Sequence, residues 1–377
     1  MRMLARGSAL CAALLSASMA SAGTGDCARW PGWEKFKQLY VSEDGRVFGA
    51  GTPQSITVSE GQAYAMTFAL IANDAVTFEK ILRWTRDNLA GGNLEHSLPA
   101  WKWGRADDGK WSVLDPNSAS DADVWIVYAL IEAAQLWHNA RYAQLAHAMS
   151  ESILRDEVAL IPGLGPTLLP GPRGFVTQQT WRLNASYSPV QALRAIARRS
   201  GDRLWTDVLE SSVRVIVGSS PRGYAADWIE YHESGGFFAD TATHGTGSYN
   251  AIRVYLWAGM LADNDSQAGA LAWQMHPMAV AAAEHAPPES IDTQTLEAHG
   301  EAPPGFSAAL LPMLAHFKLL DAAQTSRKLI ETESLKDNQH YYSDVLALFG
   351  LGWLDRRYRF DRDGDLHVEW TAACPAG

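Results

Sequence analysis

The 377-residue chain is short of cysteine, of basic runs and of long apolar stretches. It contains no Cys-x-x-Cys pair, no His-Glu-x-x-His helix, no lysine-bearing phosphate loop and no Gly-x-Ser-x-Gly elbow. Those absences argue against a zinc hydrolase, a nucleotide-hydrolysing loop and a serine hydrolase of the α/β type. The eleven histidines are scattered rather than grouped, so no metal and no other cofactor is expected. Asp361-Arg-Asp-Gly-Asp365 has some likeness to a calcium loop. It lacks glycine at the sixth loop position and glutamate at the twelfth, which makes it a polar turn. With no cluster of arginine and aromatic residues and a net charge of -11, the chain is a poor partner for nucleic acid or an anionic membrane. A neutral polymer or small molecule fits better. Beyond a short N-terminal stretch, no apolar run reaches bilayer length, so membrane insertion is not expected.

That N-terminal stretch has the order of a signal peptide. Arg2 and Arg6 precede the apolar Gly7–Ser16, and Ala20-Ser-Ala22 supplies small residues for cleavage. The alternative is a buried first helix. Cleavage after Ala22 removes two arginines and no acids, taking the charge of -11 to -13. It leaves residues 23–377 as one domain, exported to the periplasm or beyond. Cys11 departs with the leader, and Cys27 and Cys374 remain. In an oxidising compartment these two form either a disulfide joining the ends of the mature chain or a pair of free thiols.

What the chain has in excess is aromatic: 15 Trp, 12 Tyr and 11 Phe. Many of these belong in a core. Flat rings also suit a carbohydrate groove, because sugar C–H faces stack on them.

Apolar residues recur at three- and four-residue spacing in twelve segments. They are 31–41, 60–74, 75–89, 119–138, 140–156, 188–199, 203–217, 247–261, 266–285, 305–318, 323–333 and 339–354. Ser59 and Gln62 have the spacing of a capping box. Ser188-Pro189 reads as an N-cap followed by proline at the first helical position. Short β segments are expected near 175–182, 237–243 and 366–370. Short connections alternate with long ones at 90–118, 157–187, 218–246 and 286–304. An all-α barrel of six inner and six outer helices has that alternation. The inner helices would start near 60, 119, 188, 247, 305 and 339, with their N-terminal ends and the long loops on one face. An ordinary helical array is the competing architecture.

Carboxylates collect at those starts: Glu60 opens one inner helix, and Asp121 and Asp123 open the next. Acids in a first turn also serve the helix dipole. Their placement on alternate helices, beside the aromatic loop Pro99-Ala-Trp101-Lys-Trp103, favours chemistry.

At this point the residues resemble a family. Ser59-Glu-Gly-Gln-Ala-Tyr-Ala-Met66, Ala119-Ser-Asp-Ala-Asp-Val-Trp-Ile126 and Gly247-Ser-Tyr-Asn-Ala-Ile-Arg-Val254 are similar to three motifs of glycoside hydrolase family 8. Val127 stands where the second motif usually has alanine. The likeness runs from Trp30 to Trp353. Leu98–Gly104, Val113–Ser118 and Pro162–Gly165 resemble the branch of periplasmic endoglucanases encoded with bacterial cellulose synthase. The resemblance implies an (α/α)6 barrel that cuts β-1,4-glucan with inversion, and an association with the synthase machinery. Chitosan, xylan or lichenan are alternative substrates. It implies Glu60 as general acid, Asp121, Tyr187 and Arg253 around the sugar at the cleavage point, and Trp101 or Trp103 as a stacking platform; the alternative for either tryptophan is loop packing.

One position departs from the pattern. Asn250 stands where the family has the aspartate that activates water, and an amide cannot take that proton. Either an inactivating substitution has been made, or the chain has lost its base or moved it; Asp227, Glu230, Glu233 and Asp240 lie in the preceding loop. A glucan-binding protein without turnover is therefore a second reading. Both readings require positions 60, 121 and 250 to meet in one groove.

Overall fold

The computed structural model describes residues 29–49, 56–337 and 339–373. The leader, Cys27 and Cys374 lie outside them. Among the described residues the longer helices are α1 (Pro31–Tyr40), α2 (Ser59–Ile71), α3 (Ala75–Leu89), α4 (Ser120–Leu136), α5 (Ala140–Asp156), α6 (Val190–Ser200) and α7 (Arg203–Ser219). The series continues with α8 (Ala251–Gly259), α9 (Ala268–Gln274), α10 (His276–Glu284), α11 (Pro304–His316), α12 (Leu320–Glu333), α13 (Tyr341–Leu354) and the short α14 (Glu369–Ala373).

Helices α2, α4, α6, α8, α11 and α13 form the inner ring of an (α/α)6 barrel, and the others wrap it. Sequence explains the division. In α2, α4, α8, α11 and α13 most residues are buried and none is exposed, so no polar face is needed. The outer α3, α5 and α7 each bury one stripe, as amphipathic helices do. Two glycines allow the inner helices to close up. A Cβ on Gly350 would lie 2.0 Å from the Ala308 carbonyl oxygen, and one on Gly259 would lie 2.6 Å from the Met313 nitrogen.

The barrel axis is filled by a ring quartet. Tyr64, Trp125, Trp257 and Phe349, from four inner helices, pack so that all six pairs have centroids 5.0–6.1 Å apart. Above it the inner N-termini gather on one face. The Tyr342 hydroxyl donates to the Tyr249 carbonyl at 2.5 Å, and the Tyr249 ring meets Phe306 edge-on at 5.1 Å.

The long loops carry short strands: β1 (Thr57–Val58), β2 (Ala100–Arg105), β3 (Trp111–Ser118), β4 (Val158–Ile161), β5 (Gly165–Leu168), β6 (Val176–Thr177) and β7 (Thr180–Leu183). Then come β8 (Ile229–His232), β9 (Phe237–Ala239), β10 (Thr246–Gly247), β11 (Ser290–Asp292), β12 (Ala298–His299), β13 (Tyr358–Phe360) and β14 (Leu366–Val368). The pairing is antiparallel throughout the described strands, with β1-β2-β3 and β6-β7-β8-β9 as the larger sheets.

Four local expectations need correction. Ser59 does not cap α2: the cap position is Val58, and the Ser59 hydroxyl has no partner. Gln62 is a buried strut instead, accepting from the Val47 N–H at 2.6 Å and donating to Thr85 Oγ1 at 3.0 Å. Pro189 occupies the cap position itself, while Ser188 ends the 3-10 turn Ala185–Tyr187. The expected helix 266–285 is two helices that meet at Met275, where Pro277 follows in the first turn of α10 and has no N–H to donate. The segment 247–261 begins its helix only at Ala251, because Thr246–Gly247 pairs with Ile291–Asp292 as a strand.

The Asp361 turn needs no ion to account for its shape. Asp361 Oδ1 accepts the N–H groups of Asp363 and Asp365, and Asp365 pairs with Arg198 and Arg199.

Candidate active site

The inner and outer helices differ at their first turns. The N-cap residues of α3, α5 and α7 (Asp74, Asn139 and Asp202) accept a backbone N–H through their side chains. Those of the inner α2, α4, α6, α8, α11 and α13 do not. The inner first turns therefore lack compensation from their own cap side chains, and at α8 Asp227 takes over that task. Acidic side chains there are favoured, which is where the sequence puts them.

Arg253, in the first turn of α8, organises the centre. Its Nη1 donates to Glu60 Oε2, to Asp121 Oδ2 at 3.1 Å and to Tyr64 Oη at 3.0 Å. Its Nη2 donates to Asn250 Oδ1 at 2.8 Å and to Ser186 Oγ at 3.1 Å. The Tyr187 ring lies beneath the guanidinium, its centroid 5.8 Å away. Five of the residues singled out in the sequence (Glu60, Asp121, Tyr187, Asn250 and Arg253) thus meet in one place. One guanidinium thus holds the Glu60 and Asn250 oxygens on its two terminal nitrogens, which brings positions 60 and 250 into the same site.

The carboxyl groups are not equivalent. The side chain of Glu60 is 21% exposed and that of Asp121 only 3%, so Glu60 is the one open to a ligand. Burial pushes the Glu60 carboxyl up to about 8; Arg253 opposes that shift and Asp121 reinforces it. Around neutral pH Glu60 therefore holds a proton that it can give away.

Asn250 is the N-cap of α8 with helical backbone angles, and its side chain caps nothing. That task falls to Asp227, whose Oδ1 accepts the N–H groups of Ser248, Asn250 and Ala251 at 2.8, 3.0 and 2.7 Å. Of the other acids in that loop, Glu230 is held by Thr241 and His232, and Asp240 by Arg182 and Thr243. Glu233 is exposed beyond the end of β8.

Beside Asp121 lies an acid pair of which the sequence reading named only Asp123. Asp123 and Glu157 are fully buried, and the Ser118 hydroxyl donates to Glu157 at 2.6 Å. Burial, and then the charge of Glu157, drive Asp123 well above the carboxylate range; burial drives Glu157 up to about 8 against hydrogen bonds from Ser118 and Asp123.

The two loop tryptophans differ. The Trp103 ring stacks on Trp111 at 4.9 Å, meets the edge of Trp84 at 5.2 Å and receives the Arg46 guanidinium at 4.7 Å. It is half-buried among these neighbours, as Trp101 is half-buried elsewhere in the loop. Trp101 has Lys102 at 5.4 Å and hydrogen-bonds the Asp115 carboxylate, which it helps to hold below the usual range behind the Asn117 N–H. A further aromatic group was missed in the sequence: Trp228 stacks on Phe175 at 5.9 Å, takes the Arg182 guanidinium at 4.0 Å and abuts Tyr187 at 6.2 Å.

Residues 5–356 match the family described as glycosyl hydrolases family 8. The chain belongs to that family. Among its family 8 relatives, an endoglucanase of Xanthomonas axonopodis pv. citri is 45% identical over 97% of this chain and 96% of its own length. One from Escherichia coli O157:H7 is 42% identical over 92% of both. The crystal structure of an endo-1,4-D-glucanase from Vibrio fischeri is 41% identical and superposes with a TM-score of 0.86, covering 91% of this chain and all of that one. The endo-β-1,4-glucanase CMCax of Acetobacter xylinum, at 25% identity and 87% and 98% coverage, gives 0.71.

Proposed function

We propose that the family 8 chain is an endo-β-1,4-glucanase that works by inversion, exported behind residues 1–22 and acting as the single domain 23–377. The observation that carries this is the Arg253 guanidinium joined to Glu60, Asp121 and Asn250 at once. Glu60 protonates the glycosidic oxygen as the bond breaks. Position 250 faces the attacking water, and an aspartate there would take its proton. Asp121, Tyr187 and Arg253 grip the sugar at the cleavage point, and Trp101, which makes none of the ring-on-ring contacts of Trp103, stacks on a sugar farther along. The endoglucanase names of relatives across more than nine-tenths of the chain support this substrate. Cellulose being made in the periplasm, beside its synthase, is the natural glucan for such a protein.

Asn250 means that the chain as written hydrolyses slowly. Asn250→Asp is expected to raise the release of reducing ends from carboxymethylcellulose by orders of magnitude. Equal rates in the two forms would refute a base at position 250. No gain on cellulose alongside a gain on chitosan, xylan or lichenan would move the substrate assignment. The second reading, a glucan-binding protein, rests on Asn250 alone and predicts affinity for cello-oligosaccharides with no products.

A further inference from the structure

We infer that Asp227 is the group that accepts the water proton in the Asn250 form, giving it slow hydrolysis of its own; this rests on the glucanase reading above. Three observations converge. Asp227 accepts from the backbone of residue 250 itself at 3.0 Å, so its carboxylate sits one residue's width from the position where the base is missing. All three of its backbone bonds land on Oδ1, and among the described residues nothing bonds Oδ2. One oxygen is therefore anchored by the start of α8 while the other keeps its lone pairs. The remaining acids of the loop are held elsewhere or exposed, as described above. Burial lifts the Asp227 carboxyl from its ordinary value; the three N–H groups and then Arg253 restrain the rise, which leaves a carboxylate of increased basicity.

The step balances without any other reagent. Water lies between Asn250 and Asp227, with the Asn250 amide as a fixed hydrogen-bonding partner. Oδ2 removes one water proton while the water oxygen bonds to the anomeric carbon. The bond from that carbon to the glycosidic oxygen breaks, its electron pair stays on that oxygen, and Glu60 supplies the proton. Asp227 ends neutral and Glu60 ionised, and exchange with solvent resets both. Asp227 is the poorer base because its anchored position serves the helix first.

The test is Asp227→Asn, made both in this chain and in its Asn250→Asp variant, with cellopentaose turnover followed over days. The amide retains an oxygen for the three N–H groups, and melting temperature together with cellopentaose affinity reports whether the fold survives. The expected result in the Asn250 form is a fall in kcat of about tenfold or more with KM unchanged, against a much smaller fall beside Asp at position 250. Should Asp227→Asn melt early, Asp227→Glu, which keeps the charge, is expected to retain more turnover than Asp227→Ala. Unchanged residual turnover in Asp227→Asn, or turnover in the parent no higher than in Glu60→Gln, overturns the inference. If Asn250→Asp restores hydrolysis while Asp227→Asn changes nothing, this inference alone fails. If neither the parent nor Asn250→Asp cleaves cellopentaose, the glucanase reading fails with it.

Discussion

Arg253 Nη1 donates to both Glu60 and Asp121, so one nitrogen holds together the first turns of α2 and α4. The guanidinium is nearly inaccessible and its planar fork reaches α8 through Nη2 at the same time. Lysine cannot reproduce this, having a point charge on a flexible stem. Arg253→Lys in the Asn250→Asp protein is expected to lower kcat/KM by about a hundredfold or more. Arg253→Met leaves the buried Asp121 without its cationic partner and should cost about 3–5 kcal/mol of stability. Chemical denaturation and cellopentaose kinetics check both; Arg253→Lys with full activity would show that the fork does not matter.

The raised Glu60 carboxyl gives a pH dependence with a definite sign. As the proton donor it works while protonated, and burial has moved its loss of the proton up to about 8. In the Asn250→Asp protein kcat/KM should therefore hold through neutral pH and decline as pH rises through about 8. Glu60→Gln should reduce the rate by about a thousandfold or more and abolish that decline while leaving cello-oligosaccharide affinity. A decline centred near pH 5 would contradict the assignment.

Asp123 and Glu157 give a second pH effect, on stability. Both are raised in the folded state above their unfolded values, so the fold binds more protons than the unfolded chain between roughly pH 4 and 8. The stabilising contribution of the neutral pair is complete below the unfolded values and is lost as pH rises toward about 8. Glu60 and Glu132, also raised to about 8, act in the same direction. Melting temperature should fall from pH 5 to pH 8, and Asp123→Asn should flatten the fall. A parent melting curve that rises over that range would rule the effect out.

The tryptophans separate by readout. Trp101→Ala is expected to raise KM for cellopentaose about tenfold with little change in melting. Trp103→Ala removes a ring packed on Trp84, Trp111 and Arg46 and should cost on the order of 2 kcal/mol, below the about 3–5 kcal/mol of a fully buried aromatic. The reverse pattern would exchange the two roles.

The inner and outer rings could be read from the sequence because helical periodicity is local, and the acids at positions 60 and 121 followed from where the helices start. The roles of Ser59 and Gln62 could not. A Ser-x-x-Gln spacing serves a cap or a strut equally, and Val47 and Thr85, far away in sequence, decide between them. Asp227 was one of four equivalent acids until the fold set it under α8. Trp101 and Trp103 parted company only when Trp84 and Trp111, from separate elements, covered one of them. Strand segments near 175–182, 237–243 and 366–370 were read as well, and the other short strands escaped because each is defined by a partner across a loop.

The ring quartet of Tyr64, Trp125, Trp257 and Phe349 makes the barrel a cup, not a tunnel. A polysaccharide strand arriving from the loop side meets a floor directly under Arg253, which Tyr64 joins through its hydroxyl. The axis offers no passage through the barrel, so whatever binds beside Arg253 both arrives and departs on the loop side.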